Sequence, residues 1–233
     1  MLIRIVLAAL VAGVLAGGFA TAAQNVRVIP LILQAETYET GEAGQGHDQT
    51  GNAAAHEAAA EPWAPADGIE RTLSTLAANV LVGVAFSLIL TSGILLSRQA
   101  IGLSSGIVWG ACGFIAFVLA PNFGLPPELP GMAAADLPAR QTWWAATVAL
   151  TAAGLWIFAF QRGIAWMALG LALILAMHVF GAPQPEAHAS AVPANLAAEF
   201  AVATIVTSAA FWVILGGLLG FSLQKALRTE GKA

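Results

Sequence analysis

Residues 72–97 read TLSTLAANVLVGVAFSLILTSGILLS, twenty-six positions without a single charge. A helix needs about 20 mainly apolar residues, at 1.5 Å rise, to cross a hydrocarbon core about 30 Å thick. This stretch meets that length and is predicted to span a membrane. After Arg98 a second such run covers 101–120, and upstream IVLAALVAGVLAGGFATAA covers 5–23. Further spans are expected at 142–160, 163–180 and 200–223, with Trp143, Trp144, Trp166 and Trp212 near span ends, where amphipathic rings are favoured. The expected fold is an all-α polytopic membrane protein. It is one integral domain over 1–233, a bundle of about six transmembrane helices with a long outer loop between the first two.

Composition agrees. Of 233 residues 58% are apolar and 9% charged, against about 45–50% and 25% in soluble domains. With a mean hydropathy of +0.79, too few charges remain to coat a water-facing surface, so the lipid bilayer is the partner. One cysteine excludes an internal disulfide framework or a CxxC site. A net charge of −4 speaks against nucleic acid, which requires clustered Lys and Arg.

The first span has a second reading. Arg4, a short apolar run and Ala20-Thr21-Ala22 also fit a signal peptide and its cleavage site. The apolar pattern continues through Val26, Val28, Ile29 and residues 31–33, which favours an uncleaved helix leaving the membrane. Basic residues set the orientation. With both termini inside, the inner side holds six (Arg4, Arg98, Arg162, Lys225, Arg228, Lys232) and the outer side three (Arg27, Arg71, Arg140). In that frame twelve of thirteen acids fall outside, and His47, His56, His178 and His188 lie at or beyond the outer face.

Three outer features carry candidate cation ligands. The middle of the loop, 40–68, is rich in Gly, Ala and polar residues, with little to bury, and reads as mobile. It carries His47-Asp48 and His56-Glu57, an imidazole–carboxylate mixture that suits cobalt, nickel or zinc; it is equally a solvated acidic loop. In PLILQAETYE, 30–39, Glu36 and Glu39 are three apart and share one helix face. That is either a paired-carboxylate site at a pore mouth or a helix end entering water. In APNFGLPPELPGM, 120–132, four prolines and two glycines preclude a continuous helix. Phe123, Leu125 and Leu129 are apolar enough to tuck between spans, and non-helical backbone at that depth must be buried or line a cavity. Asn122 and Glu128 would add oxygen ligands.

Within the spans, Asn79, Ser87, Thr91 and Ser92 are polar; Asn79 is either a functional group or glue between helices. Gly13-xxx-Gly17, Gly106-xxx-Gly110 and Gly216-xxx-Gly220 allow close helix contact, and Cys112 reads as a small buried residue. The strongest site expectation is an outer-mouth cluster of Glu36, Glu39, Asn122, Glu128 and His178, with Asn79 or Glu199 as additions.

PLILQAETYE after the first span, APNFGLPPELPGM after the third, RQTWW opening the fourth and AEF opening the sixth resemble the CbtA family of cobalt transporter subunits. The resemblance covers nearly the whole chain. It implies a bacterial inner-membrane protein tied to cobalamin synthesis, acting with a small single-span, His-rich CbtB-like subunit. It also implies cobalt, or nickel, as cargo rather than a permanently bound cofactor. Descriptions of the family often give five spans, where six are counted here.

No GxxxxGK[ST] loop is present, so ATP hydrolysis by this chain is not expected. An inside-negative potential supplies about 2.3 kcal/mol per charge per 100 mV, hence roughly 4–5 kcal/mol for a dication. A homo-oligomer is open as a further partner, and two other classes stay open: a non-transporting accessory or assembly subunit, and a membrane redox enzyme. The latter is disfavoured because only His178 lies in a span to serve as a haem ligand, and no HExxH or GxSxG appears. Cobalt uptake by the chain alone in liposomes separates the first from a transporter, and a haem band would revive the second.

Reporter fusions after Gly46 and after Gly231 should fall on opposite sides of the membrane, the first outside. Finding both on one side would overturn the orientation and the first-span assignment together.

Overall fold

The computed structural model describes residues 2–45, 65–66, 68–186 and 190–228. Helices α1 (Leu2–Arg27), α2 (Ile29–Gln45), α3 (Ile69–Ser97), α4 (Leu103–Phe114), α5 (Ala120–Asn122), α6 (Leu137–Phe160), α7 (Ile164–Phe180) and α8 (Ala194–Arg228) make an all-α architecture, without strands among those residues. A π-helical turn, Ile115–Leu119, joins α4 to α5, so that Leu103–Asn122 is one continuous rod. Five helices are long and apolar enough to cross a membrane. The sixth, α7, has 17 residues, at the lower limit of spanning length. About six helices therefore traverse the bilayer.

Local chemistry sets the ends. Pro30 has no N–H to continue the α1 ladder, so α1 yields to α2 at Val28 without leaving helical conformation. Asp136 caps α6, accepting from the Ala139 N–H at 3.0 Å. The turn between α6 and α7 is made by Gly163, whose φ of 105° is open to glycine and strained for other residues. The stretch expected to be mobile, 40–68, starts on the last residues of α2, and most of the rest lies outside the described residues.

Three antiparallel pairs, α1–α3, α4–α8 and α6–α7, form the bundle, and α8 also lies along α1. Lipid tails are as apolar as leucine, so helices in a membrane associate through close packing and hydrogen bonds rather than through the hydrophobic effect. The pairs are accordingly seamed with glycine. A methyl group built on Gly13 would stand 2.6 Å from Val84 Cα, and one on Gly17 2.7 Å from Val80 Cα. On Gly106 it would meet Gly220 Cα at 2.7 Å, and on Gly216 it would meet Gly110 Cα at 2.8 Å. In the third pair, Gly154 faces Ile174 and Gly170 faces Phe158. All three small-residue pairs singled out in the sequence lie at these seams.

Hydrogen bonds reinforce the α1–α3 seam. The Ser87 hydroxyl donates to the Ala9 carbonyl across the pair, 2.6 Å away. Asn79 Nδ2 donates to Thr21 Oγ1 at 3.1 Å and to Gln24 Oε1 at 2.7 Å, which is the glue role. Helix α1 also carries Ile5, Ala9, Ala12, Ala16 and Ala20 into the main core with Leu90, Ile94, Phe211 and Trp212. Trp212 corrects the sequence reading. Rather than marking a span end, it is 1% exposed, lies over Gly113 and stacks on Phe117 at 5.6 Å.

Gly106→Leu and Gly216→Leu should each destabilise the protein by about 1–3 kcal/mol or more, because backbone faces backbone and cannot yield. Gly18 has nothing within 4 Å of an added methyl, so Gly18→Leu should leave the detergent melting temperature nearly unchanged. Equal losses in all three would show that helix propensity, not the seam, sets stability.

Candidate functional site

One face of the bundle carries α2, the irregular segment after α5 and the starts of α3, α6 and α8. A second apolar cluster lies here. Val28, Leu31 and Ala35 meet Leu129 of the proline-rich segment and Val192, Leu196 and Phe200 around the start of α8, with Tyr38 and Met132 at its margin. The segment is therefore seated, though not in the way its apolar residues suggest. Leu129 is buried at 3% exposure, Leu125 is half-buried, and Phe123 stays 77% exposed.

Glu36 follows Ala35 and Glu128 precedes Leu129, so both acids adjoin residues of this cluster. Each carboxylate is engaged by an arginine. Arg71 forks onto Glu36, Nη1 to Oε1 at 3.1 Å and Nη2 to Oε2 at 3.5 Å. Arg140 Nη2 approaches Glu128 Oε2 at 2.7 Å. All four side chains are between 20 and 35% exposed. The sequence reading used Arg71 and Arg140 only to orient the chain. No local pattern announces the pairing, since Arg71 is 35 positions from Glu36.

His178 belongs to a neighbouring group, in the last turn of α7. Its Nδ1 lies 3.1 Å from the Ile174 carbonyl and its Nε2 3.0 Å from the Ala120 carbonyl, where the proline-rich segment begins. A neutral imidazole has one N–H for these two acceptors, and an imidazolium satisfies both. Either way both ring nitrogens face backbone oxygen rather than open space. Phe123 and Trp143 set their rings edge-on to the imidazole, at 6.3 and 5.9 Å. Trp143 Nε1 in turn donates to the Met177 carbonyl at 3.3 Å, and the benzo edge of its indole lies against Gly124. Segment 120–132 thus runs from the His178 group to the Glu36–Glu128 seat.

The other candidates are scattered. Asn122 is half-buried beside the His178 group, and its side chain makes no hydrogen bond among the described residues. Glu39 lies on α2, three positions beyond Glu36. Glu199 is exposed near the start of α8, and Asn79 is committed to the α1–α3 seam. His47 and His56 lie outside the described residues. Among the described residues there is no group of three or more His, Cys, Asp or Glu that could hold a metal ion. A hollow of about 610 Å³ between the start of α6 and the end of α7 is lined by residues such as Pro138, Thr142, Trp143 and Met177, with no carboxylate or imidazole. The mouth therefore offers paired charges and backbone oxygens, not a finished coordination cage.

The family model described as "Probable cobalt transporter subunit (CbtA)" matches residues 2–224 of the 233. No curated protein matches the chain, and no solved structure does.

The two carbonyl contacts make His178 a tether between α7 and the proline-rich segment. His178→Leu should cost about 1–2 kcal/mol in thermal stability and speed amide exchange over residues 122–132. Unchanged exchange there would refute the tether.

Proposed function

The chain belongs to the CbtA family of cobalt transporter subunits, and from that premise we propose that it is the membrane subunit of a cobalt uptake system serving cobalamin synthesis. It sits in the bacterial inner membrane with both termini cytoplasmic. Its role is to admit the ion rather than to catalyse a reaction, and its partner is a small single-span, His-rich CbtB-like subunit. Cobalt, with nickel as the nearest competitor, is substrate and not a resident cofactor.

The observation that supports a site at the mouth is the shared apolar seat, in which Ala35 and Leu129, the neighbours of Glu36 and Glu128, meet from segments about ninety positions apart. Glu39, Asn122 and the carbonyls of the proline-rich segment complete the oxygen set, and His47 and His56 act upstream as collectors. His178 contributes by holding the segment in place. Arginine pairs with both carboxylates. Ion pairs this exposed are worth about 0.2–1 kcal/mol, little enough for a dication to displace the guanidinium. Exchange of a monovalent for a divalent partner keeps the carboxylates compensated throughout, so the ion is captured without a deep well that would trap it. The membrane potential then draws the dication inward with roughly 4–5 kcal/mol per 100 mV.

Radiolabelled cobalt uptake tests this in cells lacking other importers and expressing the chain with its partner subunit. Glu36→Gln combined with Glu128→Gln should lower uptake at scarce metal by about tenfold or more, through loss of the focused negative potential. Melting temperature should hold, because both pairs are partly wet. Arg71→Gln with Arg140→Gln should keep or raise uptake. Wild-type transport in the double carboxamide variant would eliminate this mouth as the site.

A further inference from the structure

At the opposite face, the bundle is open. The α6–α7 hairpin touches the remainder chiefly through the π turn and α5. Toward the α3–α4 and α6–α7 turns, α3 and α6 therefore stand apart on either side of α4. Between them lies an apolar cleft of about 290 Å³. Its floor is made of small residues, among them Gly93, Cys112, Gly113 and Ala116, and Trp109 and Trp156, which meet edge to face at 6.2 Å, line it together. It opens sideways, because Ile89, Val108 and Trp156 on its rim are 49, 62 and 38% exposed.

Shape narrows the occupant. The cleft follows α4 from Val108 to Phe117, which is about 13 Å at 1.5 Å per residue. Spread over that length, its volume leaves atom centres a path of about 22 Å² in section, or about 8 Å from wall to wall once a radius of about 1.4 Å is added on each side. A helix with its side chains is about 10–12 Å wide and would lie across the open side rather than within the cleft. A single file of methylenes, whose carbons pack at about 3.5–4 Å from their neighbours, fits within it.

Charge narrows it further. Arg98 directly follows α3, and Arg162 lies two positions beyond the last residue of α6, so both helices flanking the cleft end in an exposed arginine at its membrane-surface end. Neither has an ion-pair partner among the described residues, and no acid occupies that face among them. Arg98 holds a left-handed backbone, φ 53°, the one non-glycine residue with positive φ among those described. Glycine would adopt that conformation without strain, yet the position carries a guanidinium.

We propose that this cleft binds one anionic phospholipid, with an acyl chain along α4 and its phosphate held between Arg98 and Arg162. The site is separate from the metal mouth and stands whether or not that reading holds. The chain fills the space between the hairpin and the rest of the bundle, where a void would otherwise forfeit packing.

Native mass spectrometry of the detergent-solubilised chain, titrated with phosphatidylglycerol or with phosphatidylcholine of the same acyl length, tests the proposal. One phosphatidylglycerol should bind preferentially, with affinity falling about fivefold for each of Arg98→Gln and Arg162→Gln. Ala159→Trp, or Ala152→Phe should the first misfold, occupies the cleft from an exposed position and should abolish the adduct of either lipid. Millimolar inorganic phosphate should not compete. Equal binding of the two lipids, an adduct that survives the cleft-filling variants, or displacement by free phosphate would overturn the site. A photoreactive residue at position 159 in native membranes should crosslink to lipid, and crosslinking to a polypeptide would assign the cleft to a protein instead.

Discussion

Backbone meeting backbone at the glycine seams is the contact on which everything else rests. In water a helix pair is driven together by burying apolar area, and small residues at its interface are a loss. In lipid that drive disappears, and what remains is the number of atoms brought to van der Waals distance. Gly13 against Val84, Gly106 against Gly220 and Gly154 against Gly170 convert whole turns of helix into such contacts. The few polar bonds are placed where they cannot be replaced by lipid, as with Ser87 and the Ala9 carbonyl.

Rigid seams allow the α2 face to be irregular. A proline-rich segment with free carbonyls is costly at membrane depth unless protein covers it. Here Leu129 is pinned by α2 and α8, Gly124 by the Trp143 ring, and Ala120 by His178. Between those three points lie Asn122 and Glu128. The architecture thus separates two duties: regular helices carry the stability, and a short non-helical stretch carries the oxygens proposed to meet the ion.

Much of the fold was legible because spans are written in single-residue hydropathy, and 72–97 needs no partner to be read. The small-residue pairs were visible too, although in a chain with 24 glycines their partners were not. Trp212 was misread because an indole at a span end and an indole over a glycine look alike in one dimension. The mouth was legible only in part. Glu36, Glu39 and Glu128 stand out as acids beside spans, but Arg71 and Arg140 become their partners only through folding. His178 was legible as an imidazole near a membrane surface, while its engagement by two carbonyls depends on where Ala120 falls. His47 and His56 rest on composition alone.

The π turn at Ile115–Leu119 has a mechanical consequence. Before it, the α4 face is committed to α8; after it, the same rod leans on α6. The hairpin is thereby held near Trp144, which meets Phe117 of the turn at 6.2 Å, and the rest of α6, as far as Phe160, extends about 24 Å beyond it. A rotation of about 5° there swings the far end of such an arm by about 2 Å. The hairpin is in effect a lever with its fulcrum beside the segment that carries Asn122 and Glu128, so a displacement of its far end reaches that segment geared down.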